Sequence, residues 1–291
     1  MSDVTPTHVL FTEQQWQIEA EIQLCDPATS YGVYVVTDRT SFHPVSHIWP
    51  DHPADKGTIA LGDSCFDVAG CFTGAVDLAT NTLYVGTDIP VKRDAPNWTF
   101  VVVHYIAEDV QWSKGDTVIL SVDKAYQQAL SRGHSAGHLS SLALNKVLHS
   151  DYWRKDASRK DELGHYDFHS YAQQQSIVSE DKSTDTYRLG KTLRKRGLNT
   201  ADMLANLAAL TDLINQQLET WRHSGAVVVM RREGTLLTDS RYWQCDLGEG
   251  EIIEIPCGGS HIQSLAEYSA LFVEFEHVSD QELIMVTHTN P

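Results

Sequence analysis

His134-Ser-Ala-Gly-His138 and Cys257-Gly-Gly-Ser-His261 are the stretches on which the reading of this chain turns. Each places two metal-ligand side chains four residues apart. Together they offer three imidazoles and one thiol, the donor set that zinc favours. On a helix, His134 and His138 share one face, with Cβ atoms about 5–6 Å apart, so both rings can reach one ion. Cys257 follows the strand-like run Ile252 to Pro256, and Gly258-Gly259 lets the backbone turn so that Cys257 and His261 point the same way. The doublets lie about 120 residues apart, so only a folded domain can unite them. Each is weak by itself in a chain of 14 histidines; His165 and His169 form another such pair, which reads as structural or surface. Ser135 stands where metalloprotease helices carry a glutamate, so that general base is absent.

Around the first doublet the pattern predicts helices. Asp123 is placed to cap a short one over 124–131, Gly133 to interrupt it, and a second to run from His134 to Leu148 with Leu142, Ala143 and Val147 on its apolar side. A polar surface loop is expected over 150–162. A long helix then begins at Asn199 or Thr200, carrying Met203, Leu207, Leu210, Ile214, Leu218 and Trp221 as a core stripe. Strands follow at 226–231, 251–255, 270–276 and 282–288. Upstream, Val33–Thr37, Phe100–Tyr105 and Thr117–Val122 are short runs of β-branched and aromatic residues separated by turn signals. The expected class is α+β: a small N-terminal β-barrel domain over residues 1–122, then an α+β zinc-binding domain over 123–291 with helices packed on a mainly antiparallel sheet.

A chain of 291 residues that is 42% apolar can build a sizeable core. It has no apolar run long enough to span a membrane, and the N-terminal stretch MSDVTPTHVLFTEQQW lacks a basic n-region and an apolar h-region. Five irregularly spaced cysteines fit a reducing compartment, and a cytoplasmic location is expected. A net charge of −17 disfavours general nucleic-acid binding. The exception is local: Tyr187 to Arg196 carries Arg188, Lys191, Arg194, Lys195 and Arg196 without an acid. Such a run is either a solvated face or a phosphate contact.

Arg132-Gly-His-Ser-Ala-Gly-His-Leu139, followed far downstream by Ile255-Pro-Cys-Gly-Gly-Ser-His-Ile262, resembles the editing domain of alanyl-tRNA synthetase, and more closely the free-standing alanyl-tRNA editing proteins. The resemblance covers about residues 123–290. It implies that His134, His138, Cys257 and His261 hold a zinc ion. It also implies hydrolysis of seryl or glycyl esters wrongly attached to the acceptor end of alanine tRNA. The basic run becomes a plausible contact for the acceptor-stem phosphates. Upstream, Asp38-Arg-Thr-Ser-Phe-His-Pro44 is similar to the family's Asp-x-Thr-x-Phe-Tyr-Pro, and Thr40 matches the threonine that meets a seryl hydroxyl. The chain then departs: Val45-Ser-His-Ile-Trp-Pro-Asp-His52 stands where the family has Gly-Gly-Gln, before Asp55-Lys-Gly57 resumes the pattern. Two other readings stay open. One is a zinc hydrolase of the same ancestry acting on another small ester or amide. The other is a non-catalytic, zinc-stabilised tRNA-binding module.

Overall fold

The computed structural model describes residues 4–291 except Ser30 and Trp49. Residues 1–3 of the N-terminal stretch, and Trp49 of the altered 45–52 segment, lie outside the described residues. The chain divides into two compact units. The first holds residues 1–127, 232–241 and 258–260; the second holds 128–231, 242–257 and 261–291.

The first unit is nearly all β: β1 (His8–Val9), β2 (Gln17–Pro27), β3 (Val33–Thr37), β4 (Arg39–Thr40), β5 (Gly57–Leu61), β6 (Ser64–Asp67), β7 (Gly70–Asp77), β8 (Thr82–Val85), β9 (Trp98–Ile106) and β10 (Thr117–Val122). Eight of them form one sheet in the order β6-β5-β10-β2-β3-β9-β7-β8, antiparallel throughout. β9 is apolar on both faces because both are covered. Val102 and Ile106 pack with Val35, Ile59 and Leu120. Val101 and Val103 pack with Leu24, Val36 and Val76 on the other side. β10 alternates instead, with Val118 and Leu120 buried and Thr117 and Ile119 outward.

The expected small barrel is not what forms. Among the described residues the sheet order is open, ending at β6 and β8. Both edges are short hairpin strands, and β6 exposes Ser64, Cys65 and Asp67, a composition suited to an unpaired edge.

The second unit contains most of α1 (Lys124–Asp151), then α2 (Phe168–Ala172), β11 (Gln173–Ser179), β12 (Lys182–Arg188), α3 (Lys191–Arg196), α4 (Thr200–Ala205) and α5 (Leu207–Ser224). β13 (Val228–Arg232), β14 (Arg241–Cys245), β15 (Ile253–Pro256), β16 (Ala270–Ser279) and β17 (Glu282–Asn290) complete it. A four-stranded antiparallel sheet runs β11-β12-β17-β16, and a three-stranded sheet runs β13-β14-β15. The class is therefore α+β with mainly antiparallel sheet. One core joins Leu139, Leu142, Ala143 and Leu148 of α1 to Leu210, Ile214, Leu218 and Trp221 of α5, with Trp243 and Tyr268.

Two helix expectations need correction. α1 is one helix of 28 residues, not two interrupted at Gly133. Gly133 sits inside it because the β11–β12 turn approaches: a Cβ there would lie 2.5 Å from the Ser179 carbonyl oxygen and 2.6 Å from that of Lys182. The glycine permits close packing; it does not break the helix. Conversely, the long downstream helix is split at Asn206, whose side-chain amide donates to the carbonyl and carboxylate of Asp202 and competes with the helical ladder. The core stripe survives the break, with Met203, Leu210, Ile214, Leu218 and Trp221 buried. The polar hairpin β11–β12 carries no apolar alternation that would announce it.

Candidate metal centre

The second unit brings both doublets together. α1 presents His134 and His138 on one face, with ring centroids 5.1 Å apart. β15 ends at Pro256 and delivers Cys257 and then His261. Cys257 Sγ lies 3.3 Å from His134 Nε2 and 3.2 Å from His261 Nε2. The His261 ring stacks against that of His134, centroid to centroid 4.2 Å, and lies 5.2 Å from that of His138. The four ligand atoms all lie within 4.8 Å of one another, so these residues could hold a metal ion.

The donor set fits such an ion. His138 Nε2 is buried and has no hydrogen-bond partner. A buried ring nitrogen left without a partner is costly unless something absent from the polypeptide satisfies it. Desolvation, helped by the neighbouring His169, pushes the His138 pKa down to about 4, which keeps the imidazole in its neutral, ligating form. His261 is oriented from behind: its Nδ1 lies 2.9 Å from Ser135 Oγ, which also accepts from the Ile262 backbone N–H at 3.3 Å. With the proton on Nδ1 shared with Ser135, the Nε2 lone pair faces the cluster. Ser135, noted in the sequence only for not being a glutamate, is thus a support for the ligand on the opposite segment. Small residues between the two histidines have a second use. A Cβ on Gly137 would come within 2.9 Å of Ser183 Oγ on β12.

The other candidate residues are placed elsewhere. Arg188 ends β12, and Lys191, Arg194, Lys195 and Arg196 are exposed on α3, which is anchored by buried Leu193. The Arg196 guanidinium also stacks 4.3 Å from the Tyr171 ring centroid, and the last three cations sit in the final turn, where they complement the helix dipole. Thr40 belongs to the first unit. Its buried hydroxyl pairs with His104 Nε2 at 2.9 Å and accepts from the Phe42 N–H at 3.0 Å. His165 lies beside Asp161 and His149, and His169 hydrogen-bonds the Tyr187 phenol; neither joins the metal cluster. Among the described residues, no helix is long and apolar enough to cross a membrane.

No protein-family model matches the chain. Its relatives are alanine–tRNA ligases. The enzyme of Ignicoccus hospitalis is 29% identical over 163 residues, 56% of this chain and 14% of the ligase. That of Staphylothermus marinus is 28% identical over 166 residues, and that of Methanosarcina acetivorans 26% identical over 161 residues. The chain is thus homologous to alanyl-tRNA synthetase over about 56% of its length, while spanning only 14–15% of the ligases it matches.

Proposed function

We propose that this chain is a zinc-dependent trans-editing hydrolase that removes seryl or glycyl groups wrongly esterified to alanine tRNA. The observation that carries the reading is the convergence of His134, His138, Cys257 and His261, in a chain whose relatives join alanine to tRNA. In this reading residues 123–291 form the editing domain, residues 1–122 assist substrate choice through Thr40, and Arg188, Lys191, Arg194, Lys195 and Arg196 meet the acceptor-stem phosphates.

Zinc bound by these four residues would supply a fixed positive charge that anchors and polarises the ester. Three imidazoles and a thiolate would give the ion four protein donors, which suits an organising ion more than one that keeps an open position. No glutamate follows His134, so this motif offers no adjacent base. An aminoacyl ester is already activated, and a water oriented beside the substrate's own ribose hydroxyl meets the remaining need.

The test is deacylation of seryl- and glycyl-tRNA by the purified chain, with and without a chelator, alongside correctly charged alanyl-tRNA. Rapid, chelator-sensitive release of the wrong amino acid with alanyl-tRNA spared is the expected result. Hydrolysis of small model esters with indifference to tRNA would favour the broader hydrolase reading, which the net charge of −17 motivates. Loss of fold on chelation with no hydrolysis at all would favour a zinc-stabilised binding module.

A further inference from the structure

We infer that the segment 152–160 and α3 form one continuous surface for the sugar–phosphate backbone of RNA, with Arg154, Lys155 and Lys160 meeting phosphates beside the cations of α3. The inference rests on the tRNA reading above and deepens it. It adds a second, separate stretch of chain to that contact, and it makes the contact one to backbone, indifferent to base sequence.

The polar segment after α1 is docked on the end of α3. The Arg154 backbone N–H donates to the Gly197 carbonyl at 2.8 Å, the Asn199 N–H donates to the Tyr152 carbonyl at 2.7 Å, and Trp153 pairs with Leu198 in an isolated β-bridge. Gly197 closes α3 in the left-handed region, at φ +119°. A Cβ there would lie 2.8 Å from Lys155 Cγ, so the glycine lets the Lys155 stem lie against the helix end. Tyr171 ties the two segments a second time. The Arg196 guanidinium lies 4.3 Å from its ring centroid, and its phenol oxygen accepts from the Arg159 backbone N–H at 2.8 Å.

The joined segments concentrate charge of one sign. Residues 152–160 and 188–199 carry nine cations and one acid, Asp156, whereas the rest of the chain carries 13 cations against 38 acids. All nine cations are exposed. Arg159 also pairs with Asp167 at 2.7 Å, but Arg154, Lys155 and Lys160 make no ion pair among the described residues. A face that is merely solvated mixes both signs. A single-sign patch on an otherwise acidic protein gathers a polyanion there, releases its counterions, and leaves the remaining surface to repel it.

The rings beneath favour backbone over bases. Trp153, Tyr166 and Tyr171 are half-buried and pack together, the two tyrosine centroids lying 5.4 and 6.3 Å from that of Trp153. They form a floor engaged with itself, while the cations above it are exposed. Lysine and arginine presented in this way fix a nucleic acid by its phosphates without reading its sequence.

The test uses the full chain and follows binding of alanine tRNA, and of an RNA hairpin of unrelated sequence, by fluorescence anisotropy between about 50 and 200 mM salt. Combining Arg154→Ala, Lys155→Ala and Lys160→Ala should flatten the slope of log affinity against log salt by about 2–3 for both RNAs. Across that range the parent then loses about 20–40-fold more affinity than the variant. Exchanging the basic type at the same positions, with Arg154→Lys, Lys155→Arg and Lys160→Arg, should restore the parent slope. Combining Lys92→Ala, Arg93→Ala and Lys182→Ala, an equal change of net charge elsewhere, should leave the slope as it is. A slope unchanged in the first variant, an equal flattening in the control, or an effect confined to alanine tRNA would each overturn the inference. A parent that binds both RNAs with these slopes but hydrolyses no mischarged tRNA removes the editing reading and leaves this surface standing. An active parent whose slope ignores Arg154, Lys155 and Lys160 removes only this inference.

Discussion

Buried or half-buried histidines occur in both units, and the two groups differ in how their rings are grouped. In the second unit, His134, His138 and His261 turn toward one spot shared with the Cys257 thiol. In the first unit, His43 and His52 have ring centroids 4.3 Å apart, and among the described residues neither they nor His104 belong to a cluster that could hold a metal ion. His52 Nδ1 meets the Pro53 carbonyl at 2.8 Å; His104 bridges the Val35 carbonyl and Thr40 Oγ1 at 3.1 and 2.9 Å; His43 packs edge-on to Phe11. Acidity does not separate the groups. His52 and His104 are pushed down to about 4 by desolvation, the same value as His138. Convergence separates them: the ligand atoms of the first group lie within 4.8 Å of one another and of the Cys257 thiol, whereas both nitrogens of His104 are engaged by local partners.

The sharpest way to break this contrast is substitution in each group. His138→Ala should abolish bound metal and reduce deacylation by at least about 1000-fold, beyond the loss of any single donor, as read by elemental analysis and single-turnover kinetics. His104→Leu should leave metal content unchanged and cost about 2–4 kcal/mol of stability, because the Val35 carbonyl and Thr40 lose their buried partner. Metal loss in the His104 variant would erase the distinction.

Acidity supplies a second test. Asp55, buried beside His43, has its carboxyl raised from 3.8 to about 7 by desolvation. Between about pH 4 and 7 the folded chain keeps a proton that the unfolded chain releases, so this group's contribution to stability falls as pH rises through that window. His52 and His104 act in the opposite direction: stability falls as pH drops from about 6.5 to 4, where the unfolded chain takes protons that the folded chain refuses. Asp55→Asn should therefore gain about 2–4 kcal/mol over the parent at pH 8 and almost nothing at pH 4, by denaturant titration at both pH values. An equal gain at both would show that Asp55 is ionised in the fold.

Gly133→Ala places a methyl against the Ser179 and Lys182 carbonyls and should cost about 1–3 kcal/mol, a melting-temperature drop that calorimetry would resolve. The smallest expected effect on the fold belongs to the triple Ala variant of Arg194, Lys195 and Arg196. Its stability should stay within about 0.5 kcal/mol of the parent, while the slope of log affinity for tRNA against log salt flattens by about 2–3. An unchanged slope would return α3 to a plain solvated face.

The cluster of His134, His138, Cys257 and His261, which could hold a metal ion, was legible in the sequence as two doublets, i, i+4 on a helix and a Gly-Gly turn behind a strand, that the family resemblance tied together. The strands Val33–Thr37 and Thr117–Val122 were legible for a similar reason, since β-branched runs bounded by turn residues have few other uses. Gly133 misled because helix propensity cannot register a carbonyl approaching from a distant hairpin. Asn206 was passed over because its break leaves the apolar period intact. β11–β12 was invisible because it is polar, with Asp185 buried beside Gln173 and Ser183 instead of an apolar face. The contact of Ser135 with His261 depends on a partner 126 residues away and has no local signature.

The span between the two doublets has one further consequence. His134 and Cys257 are separated by 123 positions. An ion gripping both is a reversible cross-link that closes a very large loop, and a tie of that length removes conformational freedom chiefly from the unfolded chain, by about 4–5 kcal/mol in the chain-entropy picture. A disulfide of equal reach would be reduced in a thiol-rich compartment. A metal staple would not be, so the chain could be locked or released by the supply of a single ion.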